Sequence, residues 1–304
     1  MMKDILVIGA GKIGSVVGDL LVDTPELHGY RVVVADRSAP MLAEIERDPR
    51  KSPRLSTLLL DVSDPVALRA ALRGRFAVLS AAPYHLTLRV AQAAKEEHVH
   101  YLDLTEDVAS TRAIRELAVG ADTAFIPQCG LAPGFISIVA ADLARKFDSL
   151  DSVRMRVGAL PAYPSNALNY RTIRYPGHAA IMKALLHDLR LKDRRDVLKD
   201  ILEQAVPATM QDVVIVFVTV AGQRDGRLLQ DTYARKIYSH TLAGKMRSAI
   251  QITTASSLCA MLDLLAQGRL PQTGFVRQED VPLAAFQANR FGRVYSMDEL
   301  AHAA

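Results

Sequence analysis

One stretch near the N-terminus limits the possible folds more than any other part of the chain. It reads Lys3-Asp4-Ile5-Leu6-Val7-Ile8-Gly9-Ala10-Gly11-Lys12-Ile13-Gly14, and apolar residues follow at helical spacing: Val16, Val17, Leu20 and Leu21. The apolar run predicts a strand buried on both faces, and the pattern G-x-G-x-x-G behind it predicts a tight turn into a helix. This order of strand, glycines and helix is typical of a dinucleotide-binding fold.

The three glycines have separate expected roles. Gly9 permits the tight turn, Gly11 lets main-chain amides approach a pyrophosphate, and Gly14 lets the helix pack closely on the strand. The partial positive charge of the helix N-terminus favours an anion beside them. The predicted cofactor-binding residues of this turn are Gly9, Gly11, Lys12, Ile13 and Gly14.

The second predicted strand, Tyr30 to Ala35, ends in an acid. Asp36 lies about 20 residues beyond the last glycine, where a carboxylate accepts hydrogen bonds from the adenosine ribose. A carboxylate there also repels a 2′-phosphate, which favours NAD over NADP. Arg37 acts in the opposite direction, because a guanidinium stacks on adenine or binds a phosphate. NAD is therefore the predicted cofactor, and NADP is the alternative.

Two further strand ends carry candidate cofactor residues, because an open α/β sheet binds its ligand beyond the carboxyl ends of its strands. The strand Ser56 to Leu60 leads to an acid and a valine that are expected to flank the adenine, or the acid only caps a loop. The strand Phe76 to Ser80 leads to small residues that let a nicotinamide ribose pass close to the main chain. The candidates are Asp61, Val62, Ala81, Ala82 and Pro83.

Candidate acid–base groups follow the fourth and fifth strands. Tyr84 and His85 offer hydrogen-bonding groups at the reactive end of the cofactor, or they only begin a helix. Asp103 ends the strand His98 to Leu102, so it is expected on the ligand side of the sheet or in a helix cap. Asp107 fits a cap better than a ligand contact.

Composition narrows the class of protein. The 304 residues suffice for two domains, and the net charge of +4 is spread over alternating acids and bases, which argues against a nucleic-acid partner. Two cysteines, Cys129 and Cys259, provide neither a disulfide framework nor metal-ligand spacing, so we expect no metal and a cytoplasmic location. With no uncharged apolar run of about 18 residues and an immediate first strand, no membrane partner and no signal peptide are predicted.

These patterns predict an α/β protein, in which a Rossmann-type doubly wound parallel sheet is joined to a second α+β domain. The predicted domains are 1–130 for the dinucleotide, 131–273 for substrate and dimerisation, and 274–304 as a segment that returns to the first domain. A homodimer is expected through the hairpin sheet of the second domain. The predicted elements of that domain are strands Ser152 to Leu160, Asp212 to Val220 and Leu228 to Ile237, and helices Asp193 to Ala205 and Ala249 to Ala266.

A proline and two glycines mark the joint between the domains. The sixth predicted strand, Thr123 to Pro127, is followed by Gln128-Cys129-Gly130-Leu131-Ala132-Pro133-Gly134, a main-chain corner before an apolar helix. At this corner the chain resembles the saccharopine dehydrogenase and lysine 6-dehydrogenase family. The resemblance covers nearly the whole length. It rests on the glycine pattern, Ala82-Pro83-Tyr84, the Gly130–Gly134 corner and Arg174-Tyr175-Pro176-Gly177-His178.

The resemblance implies an NAD(P)-dependent oxidoreductase that acts on the carbon–nitrogen bond of a lysine-derived amino acid. Within the family, the chain most resembles the saccharopine dehydrogenases, which split saccharopine into glutamate and aminoadipate semialdehyde. The lysine 6-dehydrogenases are the alternative. A dicarboxylic amino acid needs cations, so Arg174 and Tyr175 are candidate substrate-binding residues, with Arg171 as a further cation. His178 is a candidate acid–base group or a helix cap.

One departure from the family pattern weakens the substrate assignment. Asn169-Tyr170 leads directly into Arg171, where the resemblance implies several more strands, so the substrate domain is expected to be contracted. A contracted pocket also fits a rival interpretation, in which the protein is a non-catalytic dinucleotide-binding sensor or scaffold. Loss of positioning abolishes turnover before it abolishes cofactor binding.

Overall fold

The computed structural model describes residues 2–23, 29–161, 182–205 and 210–296. The first half forms a sheet of parallel strands in the order β6-β5-β4-β1-β2-β3. The strands are β1 (Lys3–Ile8), β2 (Tyr30–Asp36), β3 (Leu55–Leu59), β4 (Ala77–Ser80), β5 (His100–Asp103) and β6 (Ala124–Ile126). The strand order reverses between β1 and β4, and ligands bind at such a switch point. The predicted Rossmann-type sheet is confirmed.

Helices cover both faces of this sheet, because β1 is apolar on both. Ile5 and Val7 pack with one helical layer, whereas Leu6 and Ile8 pack with the other. The first layer holds α1 (Gly14–Val22), α2 (Ala39–Glu46) and α6 (Phe135–Ala144). The second layer holds α3 (Pro65–Leu72), α4 (Tyr84–Glu96) and α5 (Val108–Leu117).

The second half contains an antiparallel sheet of β7 (Ser149–Pro161), β8 (Asp212–Arg224) and β9 (Arg227–Tyr238). The side chains of Val214, Val216, Val218 and Val220 on β8 are fully buried in the core. β8 extends beyond its predicted end at Val220, because a two-residue turn with positive φ at Asp225 and Gly226 lets the hairpin pair up to its tip.

Shorter elements lie on either side of this sheet. A π-helical turn (Ala184–Asp188) and a 3₁₀ turn (Leu191–Asp193) precede α7 (Arg195–Ala205), which therefore begins two residues later than predicted. After β9, a small hairpin of β10 (His240–Leu242) and β11 (Lys245–Arg247) leads to the longest described helix.

That helix, α8 (Ala249–Ala266), has the bounds that the sequence predicts. It packs against α1 and β8 in the main core, and Cys259 is fully buried there, as expected for a packing residue. Within the described ranges, α8 is the one helix that is long and apolar enough to cross a membrane. Because 78% of it is buried inside the protein, this composition is explained by its place in the core.

The C-terminal segment joins the two halves. β12 (Gly274–Phe275) pairs in parallel with β6 and becomes the seventh strand of the first sheet. A 3₁₀ turn (Gln278–Asp280), α9 (Leu283–Ala288) and a second 3₁₀ turn (Gly292–Tyr295) follow. Tyr295 stacks on Phe135 of α6 with ring centroids 3.8 Å apart, and its hydroxyl donates to the carbonyl oxygen of Thr253 on α8 at 2.6 Å.

Candidate functional site

The glycine-rich turn lies at the switch point between β1 and β4. Gly9 has a φ of +104°, and a Cβ there would lie 2.8 Å from the carbonyl oxygen of Ala81. A Cβ on Gly14 would overlap the carbonyl oxygen of Gly9, whereas a Cβ on Gly11 would meet no protein atom within 4 Å. The turn therefore packs tightly against the residue after β4 and against the start of α1, whereas the space beside Gly11 holds no protein atom. This space fits the close approach of a pyrophosphate.

Asp36 ends β2 beside this turn. One carboxylate oxygen accepts a hydrogen bond from the amide of Ala10 at 2.8 Å, and the other accepts one from the amide of Ser38 at 2.8 Å. These two bonds fix the orientation of the carboxylate between the turn and the start of α2. Arg37 is exposed next to it. The structure thus places Asp36 and its neighbouring cation beside the glycine-rich turn.

A cavity of about 370 Å³, here called the Asp36 cavity, opens at this point. Val62 is buried in its wall, whereas Asp61 is exposed and accepts a hydrogen bond from the amide of Ser63 at 2.8 Å. Apolar residues give the cavity the walls that an adenine ring needs. They include Met41, Leu60 and Leu86, and the cavity also contacts Gly9, Gly11, Arg37, Ala81, Ala82 and Pro83.

A second cavity of about 650 Å³, here called the Tyr84 cavity, adjoins the first. Both are lined by Ala81 and Ala82, which follow β4, and the two neighbouring cavities are together called the groove. Ile13 lines the second cavity from the glycine-rich turn. Tyr84 is 60% exposed there, and its ring lies edge-on to that of His85 at 5.9 Å.

Asp103 does not line either cavity. It is 1% exposed and accepts hydrogen bonds from the hydroxyl of Tyr101 at 2.8 Å and from the amides of Thr105 at 3.0 Å and Gln128 at 2.9 Å. Its expected contact with ligand therefore has no support in the structure, which corrects its assignment as an acid–base candidate. Asp103 instead ties the end of β5 to the residues after β6. Asp107 caps α5 through the amide of Ser110 at 2.7 Å, as expected.

Burial raises the pKa of Asp103 from 3.8 to about 6, against the opposing effect of its three hydrogen bonds. Because the pKa is higher in the folded protein than in the unfolded chain, the stabilising contribution of the protonated form is complete below pH 3.8. It is lost as the pH rises towards 6.

Asp103→Asn is expected to remove this pH dependence. The amide oxygen still accepts from Thr105 and Gln128, and the Tyr101 hydroxyl can turn towards the carbonyl oxygen of Thr87, 3.4 Å away. The free energy of unfolding of the variant should exceed that of the wild type increasingly from about pH 4 to pH 6, by up to roughly 2 to 3 kcal/mol. Urea titrations across this range measure the difference, and a difference that does not change with pH would contradict the assignment.

The corner after β6 is held by main-chain contacts. Gly134 has a φ of +133°, and its Cβ would overlap the carbonyl oxygen of Gly130. That oxygen also accepts a hydrogen bond from the hydroxyl of Ser257 on α8 at 2.8 Å. Cys129 is fully buried, and burial raises the pKa of its thiol, so it is not available as a thiolate nucleophile.

Three predicted site residues lie outside the described residues: His178, Arg174 and Tyr175. Arg171 and the expected contraction at Asn169-Tyr170 lie there as well. Within the ranges that the structure describes, no group of three or more histidine, cysteine or acidic side chains is placed to hold a metal ion.

Sequence reasoning missed a contact between α8 and the glycine-rich turn. Ser248 and Gln251 form a capping box at the start of α8, and the side-chain amide of Gln251 donates to the carbonyl oxygen of Lys12 at 3.0 Å. The pattern Ser248-x-x-Gln251 gives a local signal for the helix start. It gives no signal for the partner 239 residues away.

The comparison with known families agrees with this geometry. Residues 5–125 match the family described as the saccharopine dehydrogenase NADP binding domain. The match runs from within β1 to within β6 and includes the glycine-rich turn, Asp36 and the lining residues of both cavities. The family resemblance seen in the sequence is confirmed, and this dehydrogenase domain indicates an oxidoreductase with a nicotinamide dinucleotide cofactor.

Several solved structures share the fold of nearly the whole chain. Saccharopine dehydrogenase (L-Glu forming) from Saccharomyces cerevisiae is 15% identical, with a TM-score of 0.73 and 96% of each chain covered. DAP dehydrogenase from C. glutamicum, in complex with DAP, is 14% identical, with a TM-score of 0.57 and 97% of this chain and 99% of that chain covered. An engineered D-amino acid dehydrogenase bound to NADP⁺ is 14% identical, with a TM-score of 0.56 and coverage of 98% and 100%.

Proposed function

We propose that this protein is a nicotinamide-dinucleotide-dependent dehydrogenase that acts on the carbon–nitrogen bond of an amino acid, with a lysine-derived substrate of the saccharopine type. The observation that carries the proposal is the pair of neighbouring cavities that share Ala81 and Ala82: one is lined by Asp36 and Gly11, and the other by Tyr84. The domain family and the names of the three solved relatives support the same reaction class.

The residues of the groove fit an extended dinucleotide. The Asp36 cavity has apolar walls for adenine and a carboxylate beside the ribose position, and the open space at Gly11 admits the pyrophosphate. The Tyr84 cavity then takes the nicotinamide end together with the substrate. The bound cofactor supplies a hydride acceptor. Tyr84, Glu106 and Asp107 are the described acid–base side chains that line this cavity, and Asp107 caps α5. We propose that the Tyr84 hydroxyl exchanges a proton with the substrate nitrogen or the attacking water.

The choice between NAD and NADP rests on Asp36 and Arg37. The family description and the NADP⁺-bound relative favour NADP, against the preference for NAD that the Asp36 carboxylate alone indicates. Both oxygens of that carboxylate already accept main-chain hydrogen bonds, and Arg37 is exposed at the cavity wall. We propose that Arg37 binds the 2′-phosphate and that NADP is the preferred cofactor.

Asp36→Ala and Arg37→Ala are expected to change the cofactor preference in opposite directions. Without the carboxylate, NAD should bind about 1 to 3 kcal/mol more weakly and NADP should be repelled less, so the affinity ratio moves towards NADP. Without the guanidinium, the ratio should move towards NAD. Calorimetry with each dinucleotide measures both ratios.

Asp61→Ala is the matched control, because it removes a second carboxylate from the same cavity wall without touching the glycine-rich turn. Its effect on the ratio should be the smallest of the three. Equal ratios in the wild type and in folded Asp36→Ala protein would show that β2 does not end beside the ribose.

The reaction is tested by incubation with NAD or NADP and a panel of amino acids that begins with saccharopine and lysine. The measurement is the appearance of reduced cofactor. Saturable turnover with either amino acid supports the proposal. A dinucleotide that binds tightly without turnover on any substrate would instead favour the sensor or scaffold interpretation. The expected homodimer stays a prediction.

A further inference from the structure

Gln251 connects the second half of the chain to the glycine-rich turn. Its side-chain oxygen accepts from the amide of Ser248 at 3.1 Å and from the Ser248 hydroxyl at 3.2 Å. Its side-chain nitrogen donates to the carbonyl oxygen of Lys12 at 3.0 Å. The capping box uses the acceptor of the side chain, and the contact with the turn uses the donor, so both ends of the amide are fixed.

The start of α8 is itself held firmly. Asp212 at the start of β8 is buried, and its carboxylate accepts from the amide of Ala249 at 2.6 Å and from the amide of Ile250 at 3.2 Å. Ser248, the N-cap, is also buried. Gln251 therefore extends towards the turn from a rigid base on the antiparallel sheet.

The carbonyl group of Lys12 belongs to the same peptide unit as the N–H of Ile13. Because a trans peptide is planar and its C=O and N–H point in opposite directions, a bond that fixes the carbonyl also fixes the N–H. Ile13 is the N-cap of α1 and lines the Tyr84 cavity. The first N–H groups of a helix have no acceptor within the helix, so they are available to a pyrophosphate.

We propose that Gln251 is a positioning residue for the dinucleotide: it holds the Lys12–Ile13 peptide so that its N–H faces the phosphates. The proposal rests on the dinucleotide-binding function proposed above. It also implies that cofactor affinity depends on a side chain that lies outside the family match.

Two substitutions of Gln251 separate its roles. Glu at this position keeps the capping box, since its carboxylate accepts from Ser248, but it cannot donate to Lys12. Gln251→Glu should therefore melt at the wild-type temperature and bind NAD and NADP at least tenfold more weakly. Gln251→Ala loses the contact without adding charge, so its affinity should fall about three- to tenfold.

Two controls complete the design. Ser248→Ala breaks the helix cap but leaves the donor of Gln251 in place, so it should lower the melting temperature with an affinity within about twofold of wild type. Gln272→Glu makes the same change of charge at a side chain that donates to the carbonyl oxygens of Leu265 and Leu270, and it should leave affinity unchanged. In Gln251→Glu, charge repulsion of the phosphates adds to the loss of the hydrogen bond. Rising ionic strength should therefore reduce the affinity loss of this variant more than that of Gln251→Ala.

Calorimetric titration with NAD and NADP gives distinguishable outcomes. Wild-type affinity in both Gln251 variants would overturn the positioning role, and so would an equal affinity loss in Ser248→Ala, which would assign the effect to the helix start. If the wild-type protein itself binds neither dinucleotide, the proposed function fails, and this inference fails with it.

Discussion

Gly14→Ala is expected to abolish dinucleotide binding and to destabilise the protein. The new Cβ would overlap the carbonyl oxygen of Gly9 and lie 2.9 Å from its carbonyl carbon. Both are main-chain atoms of the turn, so no side-chain rotation relieves the clash. We expect the free energy of unfolding to fall by about 3 kcal/mol, at the upper end for an overpacked site. Chemical denaturation and calorimetry measure the two effects.

Gly11→Ala is the matched control for this prediction. A Cβ at Gly11 meets no protein atom within 4 Å, so this variant should fold with wild-type stability. Its methyl group would still occupy space that the pyrophosphate needs, and dinucleotide affinity should fall. Equal stability of the two variants would show that the close contact between Gly9 and Gly14 does not hold the turn.

Asp263→Ala should cause a similarly large loss of stability, although it lies far from the proposed site. The Asp263 side chain is buried and accepts from the hydroxyl of Tyr30 at 2.6 Å and from the side-chain amides of Gln267 at 2.7 Å and Asn289 at 2.8 Å. It also forms an ion pair with Arg290. Burial and this carboxylate together raise the pKa of Tyr30.

Removal of the buried carboxylate deprives one partly buried cation and three polar groups of their shared acceptor, which costs about 3 kcal/mol. Thermal and urea unfolding measure the loss. Asp280→Ala is the control, because Asp280 pairs with Arg277 at the surface, where both side chains are about half exposed. That pair should contribute at most about 1 kcal/mol. Similar losses in the two variants would contradict the buried role of Asp263.

Patterns among neighbouring residues in the sequence were enough to predict the first strand, helix α8 and the position of Asp36. The apolar run before Gly9 is buried on both faces, α8 has its predicted bounds, and Asp36 reaches the glycine-rich turn. Each depends on periodicity or on a spacing fixed by one βαβ unit. The cofactor half of the candidate site could therefore be predicted from the sequence.

The features that the sequence did not predict depend on pairs of residues far apart in the chain. The sequence predicts Asp103 in the groove because this residue ends a strand. Its carboxylate is instead buried, and it accepts hydrogen bonds from the Tyr101 hydroxyl and from the main-chain amide of Gln128, 25 residues later. Gln251 and Lys12 are 239 residues apart, and Asp263 and Tyr30 are 233 apart. Propensity and motif spacing contain no information on such pairs.

The position of α8 has a consequence for how the protein is made. Its buried face covers α1, and β12 completes the edge of the first sheet beside β6. On the ribosome, the first strands therefore emerge well before the segments that cover them, and the apolar surface of α1 stays exposed until Ala249–Ala266 has been synthesised. The dinucleotide-binding half is consequently a poor candidate for transfer by gene fusion as a separate module, because the helix that completes its core follows α1 by more than 200 residues.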